Sequence, residues 1–129
     1  MADQSARFHA ATMRLPLHQL VRELNGCLGT TLVAFIANVR GRQMPARWAT
    51  DPADPGHAEP RDDAKQRLQL AHQVYRSIEA NEDEHVARQW LIGANPRFNG
   101  QTPAERIREF NAGSVLGALH AFIEDTGGD

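Results

Sequence analysis

Side chains able to do chemistry are spread thinly along this 129-residue chain. Its six histidines, His9, His18, His57, His72, His85 and His120, fall in different segments. No two are three or four residues apart, the spacing that sets two imidazoles on one helix face around a metal. Cys27 is the only cysteine, so neither an intrachain disulfide nor a thiolate zinc cage can form. Lying among Leu24, Leu28 and Leu32, it reads as a buried, inert thiol. Ser5, Ser77 and Ser114 have no strand-to-helix elbow around them, and Gly26 and Gly29 lack the Lys-Ser/Thr of a phosphate loop. Glu82-Asp83-Glu84 could suggest acid chemistry, but carboxylates at a helix start complement the helix dipole, and that is the simpler reading. The chain therefore offers no case for an enzyme: no catalytic residue, cofactor or metal site is expected.

Binding chemistry is better represented. Arg40, Arg42, Gln43 and Arg47 cluster within eight positions. Guanidinium groups suit phosphates and the guanine edge, and a glutamine amide can pair with adenine. These four are the candidate DNA-binding residues. The alternative is a helical hairpin whose arginines only face solvent.

Charge is distributed unevenly. The net value of -2 hides six arginines against Asp3 and Glu23 in residues 1–50, net +4, and eight Lys/Arg against fourteen carboxylates in residues 51–129, net -6. A basic front and an acidic back point to different partners for the two parts. The apolar fraction of 41% and charged fraction of 23% are those of a folding, water-compatible chain. No stretch approaches the ~20 apolar residues of a membrane span, and no basic leader with an apolar run opens the chain. A cytoplasmic protein with no membrane partner is expected.

These residues need elements to hold them. Residues 1–14 read as a frayed or loosely docked arm. Leu17, Leu20, Val21, Leu24 and Leu28 recur at helical spacing, and Gly29 suits a helix C-cap. Thr30 or Thr31 can cap the next helix, which Leu32, Val33, Phe35, Ile36 and Val39 make apolar on more than one side. Val33, Phe35 and Ile36 would also suit a strand, but no second strand is available to pair with it. Asn38 to Arg42 form a tight turn, and a short helix fits Gln43 to Ala49 with Pro45 in its first turn. The segment 50–60, with three prolines and a glycine, is a loop or hinge.

Beyond it, Ala64, Leu68, Ala71, Val74, Tyr75 and Ile78 predict a long helix over 61–80. Val86, Ala87, Trp90, Leu91 and Ala94 predict another. Asn95 to Gly100 are turn-rich. Thr102-Pro103 starts a short helix from which Ile107 and Phe110 face inward, ended by Gly113. Ser114 caps a last helix with the stripe Val115, Leu116, Leu119, Phe122 and Ile123. Trp90, Ile107, Phe110 and Leu119 read as core, and Thr126 to Asp129 as a short, flexible polar tail. The fold class is all-α, with six or seven helices.

The stretch from Glu82 to Glu124 resembles the toxin-binding domain of the Xre/MbcA/ParS-like antitoxins. The likeness rests on Trp90-Leu91, Asn95-Pro96, Gly100, Thr102-Pro103 with its helix, and Gly113 before the last amphipathic helix. The front stretch TLVAFIANVRGRQMPARWAT resembles the helix-turn-helix region of the same family. Two positions depart from the pattern: Asn38 in the front stretch, where a glycine is commoner, and Phe98-Asn99 in the C-terminal stretch, which replaces small or Leu-Gly residues. The resemblance implies helix-turn-helix-like helices over 1–60, packed with a linking helix and a C-terminal helical toxin-binding domain over 61–129. It implies an antitoxin that occludes the active-site entrance of a RES-domain toxin, an NAD-degrading enzyme, in a higher-order assembly, with operator DNA as a further partner. The candidate toxin-binding residues are Arg97, Arg106, Phe122, Glu124, Asp125, Thr126 and Gly127. Two other readings remain: a stand-alone DNA-binding regulator whose C-terminal helices serve dimerisation, and a helical scaffold.

Overall fold

The apolar residues between positions 64 and 78 recur with the period of a helix. In the computed structural model they lie on a 20-residue helix, Asp62–Asn81, that forms the axis of the molecule. The backbone of residues 2–127 and the side chains of residues 6–125 are described. Among these residues eight helices run in chain order: α1 (Ala2–Arg14), α2 (Leu17–Leu28), α3 (Thr30–Ala37), α4 (Gln43–Trp48), α5 (Asp62–Asn81), α6 (Glu84–Ile92), α7 (Pro103–Arg108) and α8 (Ala112–Gly127), with one 3-10 turn at Pro96–Phe98. Among the described residues there is no strand, and no helix is long and apolar enough to cross a membrane. The protein is all-α.

At ~1.5 Å rise per residue α5 is about 30 Å long, enough to contact α1, α2, α3, α6, α7 and α8. Asp62 and Asp63 favour its start through the helix dipole. Leu68, Ala71, Val74 and Ile78 are fully buried. They join Leu20, Val21 and Leu24 of α2, Val33 and Ile36 of α3, Ile107 of α7, and Val115 and Leu119 of α8 in one apolar cluster. The basic and acidic parts thus share a core. Truncating Leu68 or Ile78 to alanine would leave a cavity costing about 2–5 kcal/mol.

Gly29 sets the angle between α2 and α3. Its φ of 87° is open to a residue without Cβ, and its N–H closes α2 on the Asn25 carbonyl. The same residue occupies the N-cap position of α3, so neither Thr30 nor Thr31 supplies a cap: Thr30 is already helical. Asn38 ends α3 in the left-handed conformation, φ 64°, and α4 begins after a short turn, at Gln43.

The expected loose arm is instead a helix. α1 packs along α5, burying Thr12. Thr12 Oγ1 and His72 Nδ1 are 2.8 Å apart, and His72 Nε2 lies 2.9 Å from Glu23 Oε1. Arg76 donates to the same Glu23 oxygen at 2.6 Å and to Glu79 at 2.6 Å. Burial, the larger influence, lowers the His72 pKa against the opposing pull of Glu23. For Glu23 burial acts upward, but the hydrogen bonds from His72 and Arg76 and their charges together bring its pKa below the ordinary value. A paired, hydrogen-bonded polar group is what makes such burial tolerable. A sequence poor in large apolar residues over 1–14 hid this docking, because the anchor is polar.

The segment 50–60 is folded back on α4. Ala58 N–H donates to the Arg47 carbonyl at 3.3 Å, Arg47 Nε donates to the Gly56 carbonyl at 3.1 Å, and the His57 side chain is 8% exposed. Asp51 and Asp54 each accept a backbone N–H two residues on, which shapes the turns.

Near the C-terminus α7 stops at Arg108, and α8 begins at Ala112. Gly113 therefore lies inside α8 rather than ending the helix before it. Phe110, with φ 55°, makes the reversal, and Asn111 accepts the first bond of α8 from Val115. Ser114 does not cap; its hydroxyl donates to the Asn111 carbonyl. Left-handed backbone carries the Phe110 ring out of the inward register of α7. The ring is 38% exposed under the Arg67 guanidinium, 5.6 Å from its centroid. The expectation that Phe110 is core is corrected, whereas Ile107 and Leu119 are buried. Cys27 is half-exposed rather than buried. It neighbours the Tyr75 hydroxyl, whose pKa is raised first by burial and then by the thiol.

Candidate functional site

Two surfaces carry the residues singled out from the sequence. The first is built on α6, the 3-10 turn, α7 and α8. Asp83 caps α6 by accepting from Val86 N–H at 2.9 Å. Asn95 caps the 3-10 turn by accepting from Arg97 N–H, and its backbone also receives Gly100 and donates to Gln101. Gly100, at φ 91°, completes that turn. Thr102 and Glu105 form a reciprocal capping box, with Pro103 at the first helical position. Asn95, Pro96, Gly100, Thr102 and Pro103 thus shape the surface through turn and cap chemistry.

On this frame the expected contact residues separate into two places. Arg97 and Arg106 belong to the corner around buried Phe98. Arg97 is exposed. Arg106 is half-buried, lies 5.1 Å from the Phe98 centroid, and has a buried Nε with no hydrogen-bond partner. Much of Arg106 is therefore committed to packing. Phe122, Glu124 and Asp125 lie on the outer end of α8. Glu124 is exposed and pairs with His120 at 3.0 Å; Asp125 is exposed too.

Thr126 and Gly127 continue α8 as helix, so the flexible tail expected from Thr126 onward does not begin there. Their side-chain surroundings, and Gly128 and Asp129, lie outside the described residues.

Phe122 meets Trp90 of α6, their ring centroids 6.0 Å apart at 46°. Both rings are half-buried. Asp83, His85, Val86, Gln89, Trp90 and Phe122 line an open cleft of about 480 Å³. Sequence reasoning assigned Trp90 to the core, placed Val86 on the inward apolar stripe of the same helix, and passed over Gln89. The overlooked signal was Val86 and Trp90 at i and i+4 beside a helix start rich in acid. An apolar pair on that face need not be covered by the protein's own core.

The second surface is the α3-turn-α4 corner. Arg40, Arg42, Gln43 and Arg47 are all exposed. Arg47 is held to Gly56, as described. Arg40 and Arg42 make no hydrogen bond or ion pair with any described residue. α4 has six residues, about 9 Å of helix, so it presents a short face. Arg40 and Arg42 line an open cleft of about 500 Å³ with Thr31, Ala34, Phe35, Val39 and Arg108. Arg108 comes from α7. It donates from Nη1 to the Phe35 carbonyl at 2.7 Å and stands 4.6 Å from the Phe35 ring centroid.

Neither surface assembles a nucleophile with a base. Among the described residues no three or more His, Cys, Asp or Glu come together as metal ligands. What the arrangement can do chemically is bind: an aromatic-lined cleft at one end and guanidinium groups at the other. No protein-family model, curated protein or solved structure matches this chain.

Proposed function

We propose that this chain is an antitoxin that binds a RES-type NAD-degrading toxin through its C-terminal surface and covers the toxin's active-site entrance. The observation that carries this reading is the half-exposed Trp90–Phe122 pair, which lines an open cleft with Val86 and the polar Asp83, His85 and Gln89. It lies within the segment that resembles a toxin-binding domain. Trp and other aromatic side chains at the centre of a contact supply most of the binding energy in many complexes. The exposed carboxylates of Glu124 and Asp125 extend the same end of α8 with negative charge, complementary to arginines that a toxin would use for dinucleotide phosphates. Inhibition is then steric and electrostatic, with no chemistry by the antitoxin.

Co-expression with a RES-domain toxin tests this reading. Recovery of a stable complex, with restored growth and cellular NAD, is the expected result. A toxin that stays active and separates from this protein on purification overturns it.

A second reading is favoured by one specific observation. Arg40 and Arg42, exposed and free of ion-pair partners among the described residues, stand on the turn of a helix-turn-helix-like corner, suited to DNA phosphates. Operator binding would accompany toxin binding, or stand alone in a regulator without a toxin.

A further inference from the structure

The cleft beside Phe35 contains a guanidinium that the basic turn does not supply. Arg108 lies in the acidic part of the chain, seventy-three residues from Phe35. Two interactions hold it there: the Nη1 hydrogen bond to the Phe35 carbonyl and the cation–π contact of its guanidinium with the Phe35 ring. A third interaction steadies its backbone, because Arg67 Nε donates to the Arg108 carbonyl at 2.7 Å. One of five guanidinium donors is used at Phe35, and the others remain for a ligand.

We infer that Arg108 joins Arg40 and Arg42 in a composite phosphate-binding cleft that takes the backbone of duplex DNA. The inference rests on the second reading above and adds to it a residue from the other part of the chain.

The lining of the cleft supports this. Thr31, Ala34, Phe35, Val39, Arg40, Arg42 and Arg108 include three cations and no carboxylate. Three guanidinium groups around one open space repel each other unless an anion sits among them. Two acids, Glu105 and Glu109, share with Arg108 a separate cleft that also touches Phe35. Both are engaged there: Glu105 accepts from Thr102 N–H at 2.8 Å and Glu109 from Gln101 at 3.3 Å. A phosphate entering from the side of Arg40 and Arg42 meets only positive charge. The opening is wide, which suits a backbone passing across it better than an enclosed small molecule. Arg108 is fixed by tertiary packing, so its reach to DNA depends on α7 being docked on α3.

The test uses the full chain and a random-sequence 20-base-pair DNA duplex as probe, with affinity measured by fluorescence anisotropy from 50 to 200 mM salt. Removing one phosphate-binding cation should reduce the slope of log affinity against log salt by ~0.9. Arg108→Gln, Arg40→Gln and Arg42→Gln should each do so, flattening the change over that salt range about threefold. Arg108→Lys keeps the charge and should keep most of the slope, a rescue that a purely structural role would not give. Circular dichroism confirms that each variant is folded. Arg42→Glu, at an exposed position remote from the core, should abolish binding without touching the fold.

A slope unchanged in folded Arg108→Gln, beside reduced slopes in the two turn variants, overturns the composite cleft and leaves the DNA reading standing. Absence of duplex binding by the unaltered protein at 50 mM salt overturns both.

Discussion

Thr12 and His72, sixty positions apart, share a 2.8 Å hydrogen bond that ties the first helix to the central one. His72 passes the connection on to Glu23 of α2, so one buried imidazole joins three helices. Arg76 and Glu79 complete its charged surroundings.

Acid should loosen this junction. The His72 pKa is lowered from 6.5 in the folded state, chiefly by burial, so below pH 6.5 the unfolded chain takes up a proton that the folded chain resists. Stability is then full above pH 6.5 and falls as pH drops from there towards the lowered value. Glu23, lowered from 4.5, adds a second loss as pH falls below 4.5. Denaturant unfolding at pH 7.5, 6.0 and 5.0 should show the first loss. His72→Gln keeps an acceptor for Thr12 and a donor for Glu23 but does not titrate, so the fall between pH 6.5 and 5.0 should shrink. An equal fall in the variant would assign it to another histidine.

Trp90 and Phe122 should act as a pair in partner binding. Each replaced by alanine is expected to weaken the toxin complex by about 2 kcal/mol or more, near 30-fold. Both are half-buried, so the cost to folding should be smaller than for a core residue such as Leu91. Calorimetric titration of the purified variants against toxin checks this, with thermal unfolding of the free proteins alongside. Unaltered affinity would move the interface to another face.

Removal of Glu124 to Asp129 separates the end of α8 from the rest. Glu124 and Asp125 are exposed, and the ion pair from Glu124 to His120 is on the surface, where such pairs stabilise by less than ~1 kcal/mol. The shortened protein should fold and still bind toxin through Trp90 and Phe122, yet protect cells poorly. Growth and cellular NAD in co-expressing cells are the readout. Full protection would show that the helix faces alone occlude the toxin.

Phe110 stores strain at the α7–α8 reversal. A left-handed non-glycine residue costs roughly 1–2 kcal/mol, and the Arg67 guanidinium over the ring returns about 0.5–1 kcal/mol. Phe110→Ala removes the ring and keeps the strain, so it should destabilise by about 1 kcal/mol. Phe110→Gly removes both but costs about 0.5–1 kcal/mol in chain entropy, so it should stay within about 0.5 kcal/mol of the parent. Chemical denaturation of the three proteins decides it; a glycine variant less stable than the alanine one contradicts the account.

Helix existence and type were legible in the sequence wherever an apolar stripe ran at helical spacing, as at Leu68, Ala71, Val74 and Ile78. Local chemistry was legible too: a tight turn starting at Asn38, Pro45 and Pro103 in first turns, Thr102 as the cap of its helix. These depend on neighbours a few residues away, which the sequence displays directly. Tertiary structure alone decided the rest. Thr12 became an anchor only because His72 lies opposite it, and Phe110 left the core because the backbone reversed beneath it. Arg47 turned to Gly56 rather than outward alone, and Arg108 crossed to Phe35 to stand with Arg40 and Arg42. The Thr12 and Arg108 outcomes depend on which helix faces meet, and a one-dimensional pattern carries no record of partners sixty or seventy residues away.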